Sequence, residues 1–109
     1  MVDGISRKEI LDKIIAKSDI RPVMIDFWAS WCIPCKAMEM SVEIIDKEYS
    51  DKLIVLKINV DKCPVLSKEY KIVSVPTILI FKDGNEIRRE IGSRSTEQLR
   101  QILNNSVFM

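Results

Sequence analysis

Two apolar runs separated by a stretch of helical period set the tightest limit on what this chain can fold into. Val23–Trp28 (Val-Met-Ile-Asp-Phe-Trp) and residues 53–60 (Leu-Ile-Val-Leu-Lys-Ile-Asn-Val) place apolar side chains at consecutive positions, not alternate ones. A strand of that kind is covered on both faces, as in a sheet lying between helices. Residues 34–49 carry Met38, Val42, Ile45 and Tyr49 at helical spacing, which predicts an amphipathic helix between the two strands. Strand, helix, strand then reads as a parallel βαβ unit with a right-handed crossover.

The flanking segments extend this unit. Ser6 and Glu9 match a capping box, with Ile5 and Ile10 spaced as a hydrophobic staple, so a first helix is predicted over residues 7–17 with Ile10, Leu11, Ile14 and Ile15 inward. Pro22 closes that segment. A short helix is predicted over residues 65–70, a strand over 75–81, a turn at Asp83-Gly84 and an edge strand over 86–91. Ser95 and Gln98 form a second capping box, opening a last helix with Leu99, Ile102 and Leu103 inward. The first few residues suit at most a further short strand, because Gly4 follows at once. The fold class is α/β: one domain over residues 1–109, with a mixed central sheet of about four or five strands flanked by about four helices.

Composition excludes several classes of function. The 109 residues include 47% hydrophobic and 30% charged residues, and 17 Lys+Arg against 16 Asp+Glu leave a net charge of +1. No basic footprint for nucleic acid or for an acidic membrane surface is present. The first residues lack the apolar core of a signal peptide, and no stretch approaches the ~18 continuous apolar residues of a membrane span. A cytoplasmic location is expected, which also discounts Asn104-Asn105-Ser106 as a glycosylation acceptor. Three cysteines do not make a secreted disulfide framework.

Two of those cysteines stand in Trp31-Cys32-Ile33-Pro34-Cys35, where the first apolar strand gives way to the helix. Residues three apart on a helix have Cβ atoms roughly 5–6 Å apart, and a disulfide needs Cα atoms about 4.4–6.8 Å apart. Cys32 and Cys35 can therefore close a bond without rearranging the chain. Besides two inert buried thiols, the other reading of this spacing is a zinc knuckle. It wants four ligands, whereas the chain has no His and only Cys63 could add a third sulfur.

Asp26-Phe27-Trp28-Ala29-Ser30-Trp31-Cys32-Ile33-Pro34-Cys35-Lys36, Lys57-Ile58-Asn59-Val60-Asp61, Val75-Pro76-Thr77 and Phe81-Lys82-Asp83-Gly84, taken in order, resemble the thioredoxin family. The resemblance runs from Val23 to the end of the chain. It implies a thioredoxin fold that reduces disulfides in client proteins, with Cys32 attacking and Cys35 resolving. It implies no bound cofactor, with electrons arriving from NADPH through a thioredoxin reductase, and a monomer whose partners are that reductase and its clients. It further implies a cis peptide before Pro76, facing the dithiol, with the Val75 backbone pairing with an extended client segment. Ile33 stands where the family usually has Gly, Met40 where many members have a helix-kinking Pro, and Ser74 where Gly is frequent. A disulfide oxidase or isomerase and a non-catalytic thioredoxin-fold binding subunit are the alternatives.

The residues support roles of their own. At a helix N-terminus, unpaired N–H groups and the positive dipole end favour a thiolate at Cys32, with Lys36 a nearby cation. Cys35, one turn further on and expected to be more shielded, would break the mixed disulfide. Pro34 suits the first helical turn, where its missing N–H costs nothing. Trp31 reads either as an exposed wall for clients or as core filling, and Trp28 as core. A carboxylate within Val23–Trp28 is costly to bury, so Asp26 is expected to have a raised pKa and to serve as a proton store for Cys35. Lys57, in the equally apolar second run, is its expected charge partner. The plainer alternative places both at strand ends facing solvent. Pro76 lacks a ladder donor and marks a special position in its strand. Gly92 permits either close approach of a client or a turn, and Cys63 is either an accessory or an inert thiol.

Overall fold

The computed structural model describes residues 2–108, and its elements run β1 (Val2–Asp3), α1 (Lys8–Ala16), β2 (Val23–Trp28), α2 (Ile33–Glu48), β3 (Ile54–Asn59), α3 (Pro64–Glu69), β4 (Thr77–Lys82), β5 (Asn85–Ile91) and α4 (Thr96–Ser106). The two apolar runs become β2 and β3, parallel neighbours in register from Val23 opposite Ile54 to Trp28 opposite Asn59. β4 lies antiparallel on the other side of β2 and β5 antiparallel to β4, while β1 adds a parallel edge strand to β3. The sheet has five strands in the order β1-β3-β2-β4-β5.

Burial explains the consecutive apolar positions. Val23, Ile25 and Phe27 of β2 pack with Leu11 and Ile15 of α1 and Leu66 of α3. Met24 points to the opposite face, among Met38, Val42 and Ile45 of α2 and Leu99 and Leu103 of α4. Helices thus cover both faces of β2, and every apolar side chain in the run has a dry neighbour. Asp26 follows Met24 in the two-residue alternation and shares its face.

Local signals succeed where the backbone alone decides. Asp83 and Gly84 both take positive φ (54° and 81°), as the mirror-type hairpin turn requires, and Gly84 N–H donates to Ser18 Oγ at 2.6 Å. The Ser95 box forms in full: Ser95 Oγ accepts from Gln98 N–H at 3.1 Å and Gln98 Oε1 accepts from Ser95 N–H at 2.9 Å. The box at Ser6 and Glu9 does not form. α1 begins one residue later, with Arg7 as its N-cap and no side-chain cap. Ile5 is buried, and its carbonyl accepts from Cys63 Sγ at 3.3 Å, so the core holds the chain's approach to α1. Ile10 is consequently 43% exposed, and the staple and the Ile10 part of the inward stripe are lost. α2 runs unbroken through Met40, which is exposed.

Candidate active site

The start of α2 is organised by sulfur. Cys32 is the N-cap, with extended backbone (φ −88°, ψ 110°), and its Sγ accepts a hydrogen bond from Cys35 N–H at 3.2 Å. Pro34 occupies the first turn, where no partner for an N–H exists. Cys32 and Cys35 are joined by a disulfide across a Cα–Cα distance of 5.3 Å, inside the range their spacing predicts. Their burial does not differ in the expected way: Cys32 is 4% exposed and Cys35 5%. Both sulfurs sit with Ala29 against Trp28, Val60 and Val75, so neither is the more shielded. Any division of labour between them must come from geometry and charge.

The loop before β4 faces this pair. The Val75–Pro76 peptide is cis, and the Val75 carbonyl oxygen lies 3.7 Å from Cys32 Sγ. Pro76 offers its carbonyl to Gly92 N–H at 2.9 Å, and Gly92 has φ +98°, a region that favours glycine. Gly92 is thus both a turn and a backbone donor next to the proline. Ile33 and Trp31 are 77% and 67% exposed, so Trp31 is not core filling. The indole Nε1–H of Trp31 donates to Asp61 Oδ2 at 2.8 Å, while Asp61 N–H donates to Asn59 Oδ1 at 3.0 Å. A shallow apolar groove of about 120 Å³ runs past Trp31, Val60, Val73 and Val75.

Beneath the disulfide lies a second cavity of about 410 Å³, lined by Asp26, Trp28, Cys35, Glu39 and Lys57 among others. Asp26 is 2% exposed, and its Oδ1 has no hydrogen-bond partner among the described residues. Burial pushes this carboxyl up to about 7 from 3.8; the Lys57 ammonium pulls it down and the Glu39 carboxylate pushes it further up. Neither Asp26 nor Lys57 is therefore a strand-end side chain in open solvent. The two are cross-strand neighbours in register, which puts them on one face of the sheet. Lys57 acts on Asp26 through its field, but its ion pair is with Glu39, Nζ to Oε1 at 3.6 Å, and the ammonium lies 4.7 Å from the centre of the Trp28 ring. Trp28 is only partly buried.

Sequence reasoning missed Glu39 and Asp61. Glu39 lies four residues after Cys35 and so on the same helical face, a signal open to reading. Asp61 answers the need of a Trp indole for an acceptor, but which acceptor depends on how two loops meet. Cys63, the third sulfur, is buried at the N-cap of α3. Among the described residues no cluster of three or more His, Cys, Asp or Glu could hold a metal, and no helix is long and apolar enough to cross a membrane.

Comparison with known proteins agrees with this geometry. The family model described as Thioredoxin matches residues 4–105. The thioredoxin of Rickettsia prowazekii (strain Madrid E) is 39% identical over 98% of this chain and 100% of its own length. That of Buchnera aphidicola subsp. Baizongia pistaciae is 41% identical over 95% and 90%. A solved Plasmodium falciparum thioredoxin superposes with a TM-score of 0.85 at 27% identity, covering 96% of this chain and 98% of that one. A capped dithiol at a helix start, on this sheet and with relatives matched over nearly their whole length, means that the chain belongs to the thioredoxin family and is a thiol-disulfide oxidoreductase that reduces protein disulfides through Cys32 and Cys35.

Proposed function

We propose that Cys32 is the attacking sulfur, that Cys35 resolves, and that Asp26 takes the proton of Cys35. The observation that carries this division is the N-cap bond from Cys35 N–H to Cys32 Sγ. In the reduced protein that donor meets a thiolate, and a charge-assisted bond together with the helix dipole stabilises the anion at Cys32 and not at Cys35. The Cys32 thiolate attacks one sulfur of a client disulfide. A Cys32–client bond forms, the client S–S bond breaks, and the departing sulfur leaves as a thiolate that solvent protonates. Cys35 then passes its proton to the Asp26 carboxylate across the cavity they share. Its thiolate attacks Cys32 Sγ, the Cys32–Cys35 bond forms, and the client leaves with its second thiolate and two electrons.

Client docking falls to the surface around the pair. Trp31, Ile33 and Pro34 supply contact area on one side. The cis-proline loop, through the Val75 backbone, Pro76 and Gly92, meets an extended client segment on the other. Two electrons from NADPH, delivered by a thioredoxin reductase, restore the dithiol, so the protein needs no bound cofactor. It works as a monomer of one domain, carrying electrons in the cytoplasm and helping to hold the thiol balance there.

The roles separate in a trapping experiment. Cys35→Ser removes the resolving thiol and should accumulate client proteins as mixed disulfides through Cys32, whereas Cys32→Ser should accumulate none. Nonreducing electrophoresis of lysate captured on each variant decides the matter, and equal trapping by both reverses or erases the assignment.

A further inference from the structure

Lys57 has two carboxylates within reach of its charge and closes on the more exposed one. Its side chain is 11% exposed, that of Glu39 54%, and the pair spans the cavity onto which Asp26 and Cys35 also open. Asp26 stands next to Lys57 in the sheet register yet keeps a buried Oδ1 without a partner among the described residues. An ammonium on a flexible four-carbon stem beside an orphaned buried carboxyl would normally turn toward it, since that contact relieves two desolvation costs at once. Here the ammonium itself lies over the Trp28 ring and pairs with Glu39.

We propose that Glu39 is a positioning residue for the proton step: by engaging the Lys57 ammonium it keeps that cation from closing on Asp26, and so preserves Asp26 as a base for Cys35. The inference rests on the reading of Asp26 as the acceptor of the Cys35 proton. The ionisable groups around Asp26 are Lys57 from β3 and Cys35, Lys36 and Glu39 from α2. From β4 its cross-strand neighbour is the apolar Ile78, and α4 packs on this face of the sheet through Leu99 and Leu103. Removing the Glu39 charge acts in one direction. Asp26 loses a like charge and gains an undivided cation, both of which favour the carboxylate and make it a weaker base.

The test follows the Asp26 carboxyl by carbon NMR in the reduced full-length protein while insulin reduction is timed across pH. Glu39→Gln should move the Asp26 titration down by about half a pH unit to one unit, and the ascending limb of the rate profile should move with it. Lys57→Met separates positioning from bare charge: in that background Glu39→Gln should shift Asp26 by less than half as much. An unmoved or raised Asp26 titration in Glu39→Gln overturns the proposal, and so does an equal shift with and without Lys57. If Asp26 titrates lower but the rate profile stays in place, the hold of Glu39 on Lys57 stands and the proton role of Asp26 falls.

Discussion

At Asp26 burial opposes ionisation more strongly than Lys57 favours it, so the folded carboxyl titrates near 7 where an ordinary one titrates at 3.8. The folded chain therefore keeps a proton that the unfolded chain releases between those two values, and stability falls as pH rises through that window and levels off above it. Asp26→Asn removes the dependence. Urea unfolding should find the variant more stable than the parent by a few kcal/mol at about pH 8, with the gap closing at about pH 4. The same variant should reduce clients slowly at neutral pH, and the deficit should shrink as the pH is raised and the need for a base declines. A pH-independent stability gap would mean that Asp26 is not the group titrating. The burial of Asp26 is legible in Val23–Trp28, since a carboxylate inside a two-sided apolar run has nowhere wet to go. The ion pair of Lys57 is not legible, because its partner sits on a different element and the choice between two carboxylates is made in three dimensions.

The two Ser-x-x-Glu/Gln signals show what local reading can and cannot decide about an element. At α4 the contacts of Arg94 with Met38 and Glu90 leave the helix start where the local signal puts it, and Ser95 caps Gln98 N–H as the spacing predicts. At α1 the burial of Ile5 and its contact with Cys63 hold the chain one step out of phase, and Ser6 falls just outside the helix. Ser95→Ala should therefore cost about 1 kcal/mol, whereas Ser6→Ala should leave the denaturation midpoint within error. A matching loss at both sites would mean that Ser6 caps α1 in solution. Strand identities, the Asp83-Gly84 turn and the α2 stripe were readable for the same reason as the Ser95 box, each being specified by neighbours in the chain. Element bounds moved by a residue or two, as hydrogen-bonded ends do.

At the scale of the whole molecule, the consecutive apolar positions of β2 and β3 require helices on both faces, but not which helices. α1 and α3 take one face and α2 and α4 the other; for α1 and α2 the split follows from right-handed crossovers that run in opposite directions across β1-β3-β2. That division also decides the standing of the third cysteine. Cys63 is packed in the α1 and α3 cluster, whereas the dithiol forms a cluster of its own. Cys63→Ser should leave insulin reduction within about twofold of the parent, since a two-sulfur exchange has no step for it; a larger loss would bring it into the cycle. The cap on α2 reaches further than the chemistry it serves. Because one sulfur both carries electrons and closes a helix, the oxidised and reduced chains differ in stability by the same free energy that separates the folded disulfide's potential from the unfolded one's, about 1.4 kcal/mol for each 30 mV. A calorimeter comparing the two forms is in effect a potentiometer. Any substitution along α2 that favours one form over the other retunes the potential without touching a sulfur.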